Sequence, residues 1–170
     1  MPAFKINTER DQLTVDRLAE RFGADSLNHE RLYDTLCFTV PREKVHDVLA
    51  FLRDELDFHF LTSLCGMHFP GEELELGTVY FLHNMRLGHR IRVKTRIPIK
   101  EPKLPTVTDL WPTANWMERE TWDFFGIQFT GHPNLKRILN MEDFPAFPLR
   151  KDYPLEDPTR EDKDNTFFGR

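Results

Sequence analysis

The sequence predicts an α+β fold: a small mixed sheet with helices packed on it, followed by a helix and an extended C-terminal arm. Three observations predict it. Residues 89–97 alternate with a period of two, with Ile91, Val93, Thr95 and Ile97 on one side and Arg90, Arg92, Lys94 and Arg96 on the other. Residues 42–56 set Val45, Val48, Leu49, Leu52 and Leu56 at helical spacing, with charges between them. From Arg150 onward the chain has few apolar residues, two prolines (Pro154 and Pro158) and dense mixed charge, too little to fold alone.

The elements follow in order. Residues 8–22 read as a short helix with Leu13, Leu18 and Phe22 on one stripe and Gly23 as a stop. Residues 32–40 are β-branched and aromatic enough for a strand, which Pro41 ends before opening the helix of residues 42–56. Residues 57–65 are apolar on both faces, which predicts a central strand. A Gly-rich loop leads to a strand over 78–84, a turn at Leu87-Gly88 and the alternating strand 89–97. The basic side of that last strand reads as solvated edge protection. The sharper reading is a surface for an acidic partner. Residues 98–106 hold three prolines and are expected to lack regular structure. Three regions result: an α+β sheet domain over 1–100, a Pro linker, signature helix and Gly-His-Pro turn over 101–149, and an extended partner-docking tail over 150–170.

Composition excludes several classes. A net charge of −5 argues against a general nucleic-acid binder, which needs a basic balance. Cys37 and Cys65 lie far apart, so the chain cannot supply the ligands of an iron–sulfur cluster or a Cys-rich zinc site. The first residues lack the apolar core of a signal peptide. No run approaches the ~20 apolar residues of a membrane span. The expectation is a chain that meets a membrane only through partners.

Residues 111–155 concentrate the unusual chemistry. All three Trp lie there, with Glu118, Arg119, Glu120 and Asp123, a Gly131-His132-Pro133 turn, and Arg150, Lys151 and Asp152. A helix over 113–125, stopped by Gly126, puts Trp116, Arg119, Glu120 and Asp123 on one face, with Arg119 and Asp123 as i,i+4 partners. Glu118 falls among Met117, Thr121, Phe124 and Phe125. It is a catalytic acid with a raised pKa, a buried anchor paired with an arginine, or an exposed residue of a shifted register. The expectation is the buried anchor, paired with Arg137 or Arg150. His132, with no second ligand at metal spacing, reads as a turn residue whose ring bonds a nearby carbonyl. No Ser-His-Asp arrangement and no Gly-rich phosphate cradle is present. The aromatics Phe144, Phe147, Tyr153, Phe167 and Phe168 along an irregular tail suggest docking.

The run E-R-E-x-x-D-F-F-G-I-x-F-x-G-H-P at Glu118–Pro133, then L-K-R-I-L and P-L-R-K-D-Y-P-L, resembles the 30-kDa subunit family of respiratory complex I, the bacterial NADH–quinone oxidoreductase. The resemblance is strong over 111–155, about a quarter of the chain. Thr106–Trp116 and Phe60–Gly66 also fit. One place departs. Many members carry Gly-His shortly before P-L-R-K-D, where this chain has Ala146-Phe147, so no histidine role carries over there. The resemblance implies a cofactor-free subunit of the peripheral arm. FMN, iron–sulfur clusters and quinone would sit on partners, chiefly the 49-kDa-type quinone-site subunit and the terminal iron–sulfur cluster subunit. It implies a peripheral place on the cytoplasmic face of the bacterial inner membrane, held through the complex. It marks Trp116, Glu118, Arg119, Glu120, Asp123, Gly126, Gly131, His132, Pro133, Arg137, Arg150, Lys151 and Asp152 as signature or interface residues, with no catalytic residue. Related subunits of membrane-bound hydrogenases, formate hydrogenlyase and ferredoxin- or F420-dependent complexes are the alternative. A free-standing acid–base enzyme using Glu118, Asp123 and His132 is a third reading.

Overall fold

Period-two patterning becomes sheet and period-3.6 patterning becomes helix. The computed structural model describes residues 8–23 and 27–154. The order is α1 (Thr8–Phe22), β1 (Asn28–Leu32), β2 (Thr35–Thr39), α2 (Val45–Asp54), β3 (Phe60–His68), β4 (Leu76–Asn84), β5 (His89–Ile97), β6 (Lys103–Pro105), α3 (Ala114–Phe125) and β7 (Gln128–Thr130). Strands β1-β2-β5-β4-β3 form one mixed sheet, in which β2 and β5 are parallel and the other pairs antiparallel. The second sheet is the parallel pair β6-β7.

The alternation in β5 is obeyed: Ile91, Val93, Thr95 and Ile97 are all buried. Register sets Leu36 and Phe38 of β2 beside Ile91 and Val93, and Tyr80 and Leu82 of β4 on their other side. Leu18 of α1 and Val45, Val48, Leu49 and Leu52 of α2 close over that face. Each such aliphatic contributes roughly 1.5–3 kcal/mol on burial. No helix of the described residues is long and apolar enough to cross a membrane.

Four expectations are corrected. Residues 32–40 are not one strand. Leu32 ends β1, and Tyr33-Asp34 turn the chain into β2, with Leu32 paired to Thr35. The polar segment NHERL pairs as an edge without any apolar pattern to announce it. Strand β3 is an edge strand rather than a central one. Its apolar side chains serve the core at Leu61 and Leu64, while Phe60 and Cys65 are exposed. The basic strand β5 is central, so edge protection cannot explain its cations.

The fourth correction is β6, which forms despite its prolines. In a parallel pair alternate residues donate. Gln128 N–H donates to Pro102 O (2.7 Å) and Thr106 N–H to Thr130 O (3.0 Å), so Pro105 takes a position that needs no donor.

Candidate functional site

Helix α3 ends where glycine allows it. Gly126 sits at φ 74° and donates its N–H to Trp122 O (2.8 Å), a left-handed stop. The helix lies against β3 at Gly66, where a Cβ would meet the Phe125 ring at 2.3 Å. This close approach fixes the inner flank of α3. Its other flanks carry the charged signature.

Glu118 is fully buried. Its carboxyl accepts from Thr106 Oγ1–H (2.6 Å) and Val107 N–H (2.7 Å), which ties α3 to the segment after β6. Arg137 and Arg150 are both engaged elsewhere, so the expected pair with one of them is corrected. The wheel puts Glu118 on the right face, but that face meets backbone and hydroxyl donors. Burial pushes the carboxyl up to about 7, against the two hydrogen bonds.

The arginine pair belongs to Asp123 instead. Asp123 is fully buried, and Arg137 Nη1 donates to its Oδ1 at 2.6 Å. The N–H groups of Ile138, Leu139 and Asn140 converge on Oδ2 at 3.1, 2.9 and 2.9 Å. Asn140 Nδ2 donates to Oδ1 at 3.0 Å. Burial opposes the charge. The donors from Asn140, Leu139 and Arg137 overcome it and hold the carboxyl well below the usual carboxylate range. The expected i,i+4 pairing of Arg119 with Asp123 does not form. Arg119 instead donates to the carbonyls of Lys136 (3.1 Å) and Arg137 (3.0 Å), with its guanidinium 5.3 Å from the Trp116 ring centroid. The single charged face drawn by the wheel is therefore split. Asp123 is covered by the chain of residues 137–140, while Trp116 and Glu120 are exposed.

Arg137 completes this clasp. Its Nη2 donates to Phe144 O (2.6 Å) and Ala146 O (3.1 Å), and the guanidinium lies 5.4–5.8 Å from the rings of Trp122, Phe144 and Phe147. The Ala146-Phe147 departure from the family pattern thus supplies a carbonyl and a ring here.

Arg150 donates from Nε to Phe125 O at 2.6 Å and stacks 4.6 Å from the Phe147 centroid. A cation at a helix C-terminus is favourable. Leu149 N–H reaches Phe124 O at 3.2 Å. Arg150 therefore serves its own fold, whereas Lys151 and Asp152 are exposed. Of the expected docking tail, residues 150–154 lie along this domain, and 155–170 fall outside the described residues, as do Phe167 and Phe168.

His132 holds the Gly131-His132-Pro133 turn. Its Nε2 donates to Asn115 O (3.1 Å), and its Nδ1 accepts Asn134 N–H (3.0 Å), which leaves a neutral ring with both nitrogens engaged. Gly131 takes φ 86° at the entry. Pro133 is exposed beside it.

Three participants are not among the site residues that the sequence singles out. Thr106 and Val107 sit in the Pro-rich link, where nothing identifies them as partners of a buried carboxyl. His68, at the end of β3, is almost wholly buried. Its Nδ1 accepts Lys151 N–H at 2.8 Å, pinning the start of the arm to the sheet. An isolated histidine after Gly66 gives no spacing signal.

Chemically the arrangement is closed. Glu118, Asp123 and His132 are each engaged by donors or acceptors of their own chain. No group of three or more His, Cys, Asp or Glu among the described residues is placed to hold a metal ion. Four large apolar side chains nevertheless point outward: Trp116, Leu139, Met141 and Leu149 are 50–70% exposed.

Residues 38–159 match the family described as respiratory-chain NADH dehydrogenase, 30 Kd subunit. The chain belongs to this family. The NADH-quinone oxidoreductase C-subunit of Roseiflexus sp. (strain RS-1) is 50% identical over 148 residues, covering 85% of each protein. The solved structure described as Nqo5 of the trypsin-resistant fragment (1-134) superposes with a TM-score of 0.65 at 32% identity, covering 72% of this chain and 99% of that one. A chain from the membrane-bound sulfane sulfur reductase, an archaeal respiratory membrane complex, gives 0.73 at 31% identity over 85% of both. The clasp of Asp123, Arg137 and Arg150 thus falls within the stretch that the 30-kDa family match covers.

Proposed function

We propose that this chain is a cofactor-free structural subunit in the peripheral arm of a proton-translocating NADH:quinone oxidoreductase. It serves electron transfer from NADH through FMN and iron–sulfur clusters to quinone, with all redox groups on neighbouring subunits. The observation that carries this reading is the saturation of the signature. Glu118, Asp123, Arg119, Arg137, Arg150 and His132 all bond within the chain, and the large apolar side chains Trp116, Leu139 and Met141 are left facing out. Such a surface buries itself against protein. The name of the Roseiflexus relative supports the NADH–quinone assignment.

The neighbours read best as the 49-kDa-type quinone-site subunit and the terminal iron–sulfur cluster subunit. They would hold the chain on the cytoplasmic face of the bacterial inner membrane. Trp116, Leu139 and Met141 form the contact, and Arg119, Arg137 and Arg150 hold its geometry. Affinity purification from the native membrane tests the reading. Recovery of flavin, iron–sulfur and quinone-site subunits is expected. A lone monomer active on a small molecule would overturn it.

The likeness to the sulfane sulfur reductase chain favours a second reading, the equivalent subunit of a related membrane-bound complex. NADH-oxidising subunits among the co-purified chains select the first reading, and hydrogenase-type subunits the second.

A further inference from the structure

All three helices pack on one face of the five-stranded sheet. The opposite face is built on a strip of cations. Arg90, Arg92, Lys94 and Arg96 alternate along β5, the middle strand, and so point the same way. Register sets Phe81 of β4 beside Arg92 and Val79 beside Lys94. Alternate residues of a strand are about 6.6–6.8 Å apart, so the four cations span roughly 20 Å. The chain as a whole carries −5. This strip is a local inversion of its charge.

The ground beneath the strip is apolar. The Arg92 guanidinium lies 5.4 Å from the Phe81 ring centroid, and that of Arg96 3.6 Å from Phe69. Acidic neighbours stand at the margins. Glu72 pairs with Arg96, and Glu30 reaches Lys94 only at 4.0 Å. In the middle, Arg92 makes one long contact to Thr35 Oγ1 (3.4 Å), and its Nε is buried with no hydrogen-bond partner. A buried donor left unmade costs about 1–3 kcal/mol.

Solvation alone does not account for this. A solvated sheet face mixes signs and favours Lys, whose ammonium is strongly hydrated. Arginines held over phenylalanines are weakly hydrated and preset for two-pronged binding of carboxylates. Arg and Phe over an apolar base is the composition of a protein interface.

We propose that this sheet face docks an acidic segment of a neighbouring protein chain, whose carboxylates follow the row from Arg90 to Arg96. The inference rests on the reading of the chain as a subunit of an assembly. It adds a second contact surface, on the side of the sheet away from α3. An extended segment with Asp or Glu at every second residue repeats at the same interval as the cations. Nucleic acid and anionic lipid spread their charge far beyond a strip of roughly 20 Å, whereas one short acidic segment matches its length.

The face carries its own reporters. Cys65 is exposed on the adjoining strand, where it pairs with Val79, the neighbour of Lys94, and Cys37 is buried. Maleimide labelling of Cys65 is compared between the isolated chain and the purified native assembly. At least tenfold slower labelling in the assembly is expected. Carbodiimide treatment of the assembly should join Lys94 to an Asp or Glu of another chain, read by peptide mass spectrometry. Arg92→Glu with Lys94→Glu should lower the salt concentration at which the chain leaves the assembly.

Equal labelling of Cys65 in both states, with no interchain link at Lys94, overturns the proposal while leaving the assembly reading intact. Protection removed by nuclease, or by stripping anionic lipid, also overturns it and assigns the face to those partners. Failure of the chain to co-purify with any partner overturns both readings together.

Discussion

Arg150 Nε donates to Phe125 O at 2.6 Å across 25 residues, and so the arm caps the helix that precedes it. The bond joins the last carbonyl of α3 to a residue whose sequence setting suggests a partner contact. Gly126 makes room for it. A Cβ there would lie 2.6 Å from both Arg150 Nη2 and the Phe147 ring.

Removing either end of this contact should loosen the arm. Arg150→Ala loses a charge-assisted hydrogen bond, worth roughly 1.5–3 kcal/mol. Gly126→Ala adds a left-handed penalty of about 1–2 kcal/mol to the clash. Urea unfolding should show both losses, and limited proteolysis should cut faster between Pro133 and Arg150. Unchanged proteolysis in Arg150→Ala would mean the arm is held elsewhere.

Asp123 and Arg137 form the second lock. Asp123→Asn leaves the Arg137 guanidinium, its side chain 9% exposed, without its anion. Breaking a buried pair from one side costs about 3–5 kcal/mol. The pH dependence has a definite sign. The folded-state pKa of Asp123 is depressed, so its stabilisation is complete above the ordinary aspartate pKa and is lost as pH falls toward the folded value. The wild type should lose stability on acidification below about pH 4. Asp123→Asn should start lower and lose less over that range. A variant with the same acid slope as the wild type would place the titration on another carboxylate.

Elements α2 and β5 are readable in the sequence because their side chains divide into an apolar core face and a polar face, whereas β4, buried or half-buried on both sides, reads from its apolar and aromatic run. Gly126 announces the end of α3 for a similar local reason. The clasp is only half readable. Helical spacing finds the burial of Glu118, but its partners Thr106 and Val107 come from a proline-rich link that forms a strand only once β7 is beside it. Asp123 is misread because an isolated helix exposes it, and its concealment depends on a loop 14–17 residues further on. His68 shows the same limit. Its neighbour Lys151 is 83 residues away, and no local pattern encodes the meeting.

Glu118 should give a pH response of the opposite sign to Asp123. Its folded pKa of about 7 lies above the ordinary value of 4.5. Its contribution to stability is therefore complete below about 4.5 and is lost as pH rises through about 7. The shift corresponds to about 3 kcal/mol across that window. Gln at this position can accept from Val107 N–H and donate to Thr106 Oγ1. Glu118→Gln should match the wild type at about pH 5 and exceed it at about pH 8 in chemical denaturation. Glu118→Ala strands the Val107 N–H and should be weaker at the acid end by about 1–3 kcal/mol. Parallel pH profiles for Glu and Gln would show that Glu118 keeps its charge in the fold.

Two truncations separate the structural part of the arm from any docking part. A chain ending at Leu149 lacks the Arg150 cap and the Lys151 N–H that His68 accepts. It should lose about 2–4 kcal/mol, the sum of a charged and a neutral hydrogen bond. A chain ending at Pro154 keeps both contacts and should unfold at the wild-type urea midpoint. The two are then compared for incorporation into the native assembly. If residues 155–170 dock a partner, the Pro154 chain will be stable yet poorly incorporated. Full incorporation of that chain would confine the role of the arm to the clasp that Arg137, Arg150 and His68 form within the domain.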